Sequence, residues 1–294
     1  LACQVRVEGD AEVHLPESGE KRHPLPHVGA SNGPFAFAVD LGTTTIQISM
    51  VDMGSRRSIP VSVFLNPQRR YGHDIISRIS ASADPLTRRS LVEGLRRSVA
   101  ASIEEAMRRA GITADRVSAI VLAGNTAMSY FYAGLDVLPL GSHPYSLGLR
   151  DFPPSPASIL GLDFLGDVPA SILPVASAFI GGDITGGLAL LDVMNLKENL
   201  FFMDLGTNGE MFLRADGETI FAASCAMGPA LEGMNISRGM TAETGAVTHI
   251  NIGEGGYELE VLGGGEPLGI SGTGIIDALA ILLRQNILRK NGSF

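Results

Sequence analysis

The chain has 294 residues, a length that at roughly 150 residues per domain accommodates two domains. Hydrophobic residues make up 45% against 18% charged, which excludes a disordered chain, and a net charge of −9 argues against a nucleic-acid partner held by phosphate neutralisation. No apolar run reaches the roughly 18 to 20 residues of a membrane-spanning helix, and the two cysteines, Cys3 and Cys225, exclude a disulfide framework. The expectation is a soluble protein of the reducing cytoplasm.

The first residues, LACQVRVEG, read as the middle of a strand, and the last, ILRKNGSF, trail a helical pattern. The expectation is a segment trimmed at both ends. Residues 16 to 34 are rich in Pro, Gly and charge and read as a linker. Three apolar or alternating runs follow: FAFAVD (35–40), TIQISMVDM (45–53) and SIPVSVFL (58–65). Tight turns between them predict a three-stranded meander.

From Tyr71 the period changes. Ile75, Ile76 and Ile79 suit a short helix. Leu91, Leu95, Val99, Ile103 and Met107 predict a long one, started by Asp84-Pro85, stopped by Gly111 and covered by arginines on a solvated face. VSAIVLAG (117–124) predicts a strand buried on both sheet faces, with Asn125 and Thr126 able to cap the next helix. Residues 139 to 170 predict a long irregular excursion, functional or docking in role. A helix opened by glycines is expected over 181–195, strands over 199–204, GEMFLRAD, ETIFAAS and 257–262, and a long helix over 273–290 with Ile276, Leu279, Ala280 and Leu283 on one stripe.

FAFAVDLGTTTIQISMVDMG (35–54) and NLFFMDLGTNGEMFLRADGE (199–218) form an internal repeat at a constant offset of 164. Asp40 matches Asp204, Leu41 Leu205, Gly42 Gly206, Thr43 Thr207 and, further on, Asp52 Asp216. The repeated unit is strand, DLGT, strand, turn, strand. A carboxylate ending the first strand can hold magnesium, glycine lets backbone approach a phosphate, and Thr hydroxyls with successive N–H groups can bind its oxygens. Two such halves are expected to clamp a triphosphate between them. One DLGT alone reads equally well as a hairpin turn.

These motifs resemble the sugar kinase, Hsp70 and actin superfamily of ATP-binding proteins. Asp40-Leu41-Gly42-Thr43-Thr44 resembles its first phosphate motif and Asp204 to Glu210 its second. SAFIGGDITGG (177–187) lies where the first connecting helix would, and GISGTGIID (269–277) where the adenosine motif would, with Ser271 or Thr273 capping the last helix. DLGTTT, GNTAM (124–128), DLGTNGE, GPALEGMNI (228–236) and GISGTGIID together resemble one branch more closely, the ATP-dependent reductive activators of corrinoid proteins, which join a [2Fe–2S] ferredoxin to such an ATPase.

The resemblance implies an α/β, two-lobed actin-like ATPase fold of duplicated ribonuclease H-like domains, the second lobe incomplete. The expected division is 1–33 as the end of a ferredoxin plus linker, 34–178 as the first lobe and 179–294 as the second. ATP and Mg²⁺ are the implied cofactors. Asp40, Asp204, Glu210 and Asp183 are the expected catalytic groups, with Asp40 and Asp204 on magnesium. Gly42, Thr43, Thr44 and Thr45, then Gly206, Thr207, Asn208 and Gly209, are expected at the phosphates. Gly269, Ser271, Gly272, Thr273 and Gly274 are expected at the adenosine. Cys3 corresponds to a residual ligand of a [2Fe–2S] cluster that only a full-length protein would hold, because the other three cluster cysteines are absent from this sequence. The linker after Cys3 leaves no room for the extra middle domain of some members.

Cys225 reads as a small buried residue beside a glycine-rich loop, and the six histidines show no metal-ligand spacing. The expected activity is ATP hydrolysis coupled to Co(II)-to-Co(I) reduction of a corrinoid protein, the expected partner. A homodimer is compatible with the reading. The rivals are a small-molecule kinase, with Asp183 as base, and a non-catalytic actin-like assembly module; one scaffold hosts many functions.

Overall fold

The computed structural model describes residues 33–195, 199–206, 208–215, 219–226, 236–253, 255–289 and 291–293. The chain divides into two compact units, Leu1–Leu173 and Pro174–Phe294. Cys3, the linker at 16–32, Thr207, Asp216 and the GPALEG stretch lie outside the described residues.

In the first unit the meander forms as the alternation dictates. Strands β1 (Phe35–Leu41), β2 (Thr45–Asp52) and β3 (Arg57–Leu65) pair antiparallel. Phe35, Phe37, Val39 and Leu41 of β1 and Ile46, Ile48 and Met50 of β2 are buried on one face, each contributing roughly 1.5–3 kcal/mol of burial. The Asp52 carboxylate accepts from Gly54 N–H at 2.9 Å and closes the β2–β3 turn.

Two helices follow, α1 (Ile75–Ala81) and α2 (Pro85–Ala110). Asp74 caps α1 and Asp84 caps α2 through Thr87 N–H at 2.8 Å. Gly111 ends α2 in the left-handed conformation, φ 66°. The α2 stripe is as the spacing requires: Leu91, Leu95, Val99, Ile103 and Met107 are all buried. Its outer arginines are largely engaged, Arg89 with Glu93 at 2.7 Å and Arg108 with Glu105 at 2.6 Å. Arg96 departs from the solvated face by donating to Tyr132 C=O at 2.8 Å.

Strand β4 (Val117–Gly124) runs parallel to β1, and α3 (Thr126–Ala133), capped by Asn125, returns from it. Val121 is 37% exposed, so β4 is not buried on both faces as its apolar run suggests. The excursion carries short β5 (Ser155–Pro156) and β6 (Pro169–Ile172), completing a six-stranded sheet in the order β3-β2-β1-β4-β6-β5.

The second unit opens with α4 (Gly182–Leu190), followed by β7 (Leu200–Leu205), β8 (Asn208–Ala215) and β9 (Thr219–Ala226) in a second antiparallel meander. Ile180, Ile184, Val193 and Phe212 form its small core, and the Phe202 and Phe212 rings stack at 4.9 Å. A separate sheet, β11-β10-β12, holds β10 (Ala246–Gly253), β11 (Gly256–Val261) and β12 (Gly269–Ile270). Strand β10 was not expected from the sequence.

The last helix, α5 (Gly272–Arg284), is shorter than its pattern suggests. It buries Gly274 and Ile281 and exposes Ile276, Leu279 and Leu283. Among the described residues no helix is long and apolar enough to cross a membrane.

Candidate functional site

In the first unit the hairpin from β1 to β2 carries Gly42 to Thr45. A Cβ at Gly42 would collide with the Thr45 carbonyl, so the turn requires glycine. Three successive loop carbonyls are held by Asn66 and Arg78. Asn66 Nδ2 donates to Gly42 C=O at 2.8 Å, Arg78 donates to Thr43 C=O at 2.6 Å, and Asn66 N–H donates to Thr44 C=O at 2.9 Å. Asn125 Nδ2 donates to Thr43 Oγ1 at 2.8 Å while its Oδ1 caps α3. Thr43 and Thr44 are buried, and Asp40, at the end of β1, is exposed.

Arg78 is fully buried. It donates to Gly72 C=O at 2.9 Å as well as to Thr43, and burial pulls its pKa down to about 10, with Arg69 adding to the effect and Asp74 opposing it. This residue overturns the expected face of α1: Arg78 and Ile79 point inward and Ile76 is 46% exposed. The helix turns to bring a guanidinium to backbone carbonyls that would otherwise lack partners.

In the second unit three expected catalytic carboxylates come together. Asp204 ends β7, and Glu210 is its direct partner on β8, so both share one face. Asp183 stands in the first turn of α4, its Oδ1 accepting from Ile184 N–H at 2.8 Å. Burial pushes the Glu210 carboxyl up to about 7, helped by the charges of Asp183 and Asp204, while a hydrogen bond from Ser224 Oγ at 3.1 Å opposes the rise. Burial also raises Asp183, with Asp204 adding to it, and raises Asp204. These shifts are those of crowded, part-desolvated like charges, a pattern typical of functional sites.

The turn between the two strands differs from its repeat. Asp40 faces Gln47, seven residues on, whereas Asp204 faces Glu210, six residues on. The second hairpin is one residue tighter, so the gapless match of the two sequences does not extend to their pairing. Gly206 N–H donates to Asn208 C=O at 3.0 Å across the turn. Cys225 corrects an expectation: it is exposed, on the sheet face away from Glu210, with its Sγ 3.4 Å from Gly209 C=O.

The GISGTGIID segment forms β12 and the start of α5. Ser271 occupies the N-cap position, but its hydroxyl donates to Val247 C=O at 3.1 Å and makes no cap bond. A Cβ on Gly269 would lie 2.6 Å from Arg238 C=O, and one on Gly274 would meet Val247 C=O. Close backbone packing requires glycine at both positions. Gly272 and Thr273 lie in the first turn.

Sequence reasoning missed Asn66, Arg78 and Ser224, and read Asn125 only as a cap. The available signal was an arginine beside Ile79 on the inward arc of a short helix, immediately after the meander.

A family model described as the RACo middle region matches residues 35–196, more than half of the chain. The chain belongs to the RACo family. A second model, described as the C-terminal domain of RACo, the ASKHA domain, matches residues 198–294. A RACo middle region is therefore present, on the residues read from sequence as the first lobe, against the expectation that the linker leaves no room for one.

The chain is 30% identical to the corrinoid activation enzyme RamQ of Eubacterium limosum, over 99% of this chain and 47% of that protein. It is 25% identical to the Co(II) methylated amine-specific corrinoid protein reductase of Methanosarcina barkeri, over 87% of this chain and 52% of that one. A solved structure of a reductive activator for a corrinoid, iron–sulfur protein superposes with a TM-score of 0.77 at 32% identity, covering 90% of this chain and 42% of that chain. This RACo chain thus spans about half the length of the relatives it matches. The resemblance to corrinoid activators and the α/β, actin-like fold class both hold.

Proposed function

We propose that this chain carries the ATP-hydrolysing part of a reductive activator that drives reduction of Co(II) to Co(I) in a corrinoid protein. The observation that carries the reading is the Asp183, Asp204 and Glu210 cluster beside the second DLGT turn, in a chain of the RACo family. In the proposal the Gly42–Thr45 and Gly206–Gly209 turns hold the phosphates, and Gly269 with Ser271 to Gly274 meets the adenosine.

The donor set suits magnesium. Crowded carboxylates with raised pKa values gain from a divalent cation, and Mg²⁺ usually takes one or two carboxylates, completing its shell with water and phosphate oxygens. Among the described residues no three His, Cys, Asp or Glu side chains could hold a metal by themselves. Asp40 in the first unit and Asp204 in the second are each proposed as an ion ligand, and the ion would neutralise phosphate charge. Glu210, with a pKa about 7, is matched to taking a proton from an attacking water at neutral pH. A [2Fe–2S] cluster needs four cysteine ligands and this sequence has two, so in the proposal the electron comes from a cluster that only a full-length protein would hold.

A driven reduction requires that nucleotide states differ in affinity for the corrinoid partner. The kinase reading keeps one observation in its favour, the raised carboxyl of Asp183 at a helix start. Two assays separate them: hydrolysis of MgATP by the wild-type chain and its Asp204→Ala variant, and a screen of sugars, polyols and carboxylates as phosphoryl acceptors. The proposal expects hydrolysis lost in the variant and no phosphorylated product. A phosphorylated small molecule formed at enzyme-like rates would move the protein to the kinases.

A further inference from the structure

Four hydrogen bonds converge on the first loop, from Asn66, Arg78 and Asn125 to Gly42 C=O, Thr43 C=O, Thr44 C=O and Thr43 Oγ1.

The backing residues Asn66 and Arg78 are both buried. Arg78 is a buried cation whose bonds go to carbonyls, and burying such a charge is costly. Met128 of the GNTAM segment lies behind both donors, its Sδ 3.6 Å from Asn66 Nδ2 and 3.8 Å from Arg78 Nη1. Asn125, from the same segment, fixes the Thr43 hydroxyl.

We infer that Arg78 is the positioning residue of the first phosphate loop, pinning Thr43 C=O and so fixing the loop's conformation for an anionic phosphate. Asn66 is its companion. The inference rests on the ATP reading above and goes beyond it by naming what orders the loop before nucleotide arrives. A guanidinium suits this task because its planar fork reaches Thr43 and Gly72 carbonyls at once, which an ammonium matches less well.

The test is steady-state hydrolysis of MgATP by the wild-type chain and its Arg78→Met, Arg78→Lys and Asn66→Ala variants, each assayed well below its own melting temperature. The inference expects KM for MgATP to rise about tenfold or more in Arg78→Met with kcat within about threefold of wild type. Arg78→Lys should recover part of the loss, and Asn66→Ala should raise KM in the same direction. If Arg78→Met does not fold, Arg78→Lys decides alone, with a KM raised at least about threefold. Unchanged KM in the folded Arg78 variants overturns the inference while leaving the ATP reading intact, as does an equal fall of kcat with unchanged KM. A wild-type chain that neither binds nor hydrolyses MgATP overturns the ATP reading itself and the inference with it.

Discussion

Glu210 stands directly opposite Asp204 across the β7–β8 hairpin, whereas the residue opposite Asp40 in the repeat is the uncharged Gln47. A hairpin one residue tighter moves every later side chain to a new partner, because strand side chains alternate faces. The two copies of DLGT therefore offer different chemistry. The first presents a loop held from behind. The second presents a carboxylate pair, joined by Asp183.

The pair implies a pH signature. Glu210 keeps its proton to about pH 7 in the folded chain, against 4.5 for an ordinary glutamate. Its raised pKa stabilises the fold fully below the unfolded value and loses that contribution as pH rises through about 7. Stability should fall between about pH 5 and 8 by on the order of 2 kcal/mol, and Glu210→Gln should flatten the slope. Chemical denaturation at a series of pH values checks this. A slope equally steep in the variant would show that Glu210 does not titrate in that range.

Removing one charge should release the other. Asp204→Ala takes away a repulsive neighbour, so the Glu210 carboxyl should titrate at lower pH than in the wild type. Carboxyl-carbon NMR titration of Glu210 reads this directly. An unchanged midpoint would mean that burial and Asp183 set the shift without Asp204.

Magnesium should act on the same slope. If Asp204 contributes to an ion site, Mg²⁺ with nucleotide should raise the melting temperature more at pH 8 than at pH 5, where protons compete for the carboxylates. Equal stabilisation at both pH values would place the ion elsewhere.

The first loop allows a steric check. Gly42→Ala forces its new methyl against the Thr45 carbonyl, so the hairpin must open. Nucleotide affinity should fall by about tenfold or more, a loss of about 1.4 kcal/mol in binding. As a contrast, Leu95→Ala in the core of α2 should cost about 2–5 kcal/mol of stability while affinity at a permissive temperature stays near wild type. Calorimetric titration with MgATP compares the two.

Much of the fold was legible because local signals agree. Asp84-Pro85, Gly111 and the stripe from Leu91 to Met107 state the length and face of α2 in one pattern. Both meanders follow from alternation and the DLGT turns. Strand β10 was hidden because AVTHINIG, set among glycines, leaves Ile252 exposed and His249 on a surface pair with Asp277. The alternation was too weak to read.

At the candidate site, the types of the acidic groups were legible and their grouping in the second unit was not. The Asp204–Glu210 pairing depends on a one-residue difference in turn length that matched sequences cannot reveal. Arg78 was hidden for the opposite reason. Arginine on a short helix is ordinarily taken as solvent-facing, and only the carbonyls of Thr43 and Gly72 explain its burial.

The central claim is tested most directly by the rate of ATP hydrolysis with and without a corrinoid protein held in the Co(II) state. The account predicts slow turnover by the chain alone and a clear, saturable acceleration by the Co(II) protein, abolished in Asp204→Ala. Hydrolysis indifferent to the corrinoid protein at every concentration tried would contradict it.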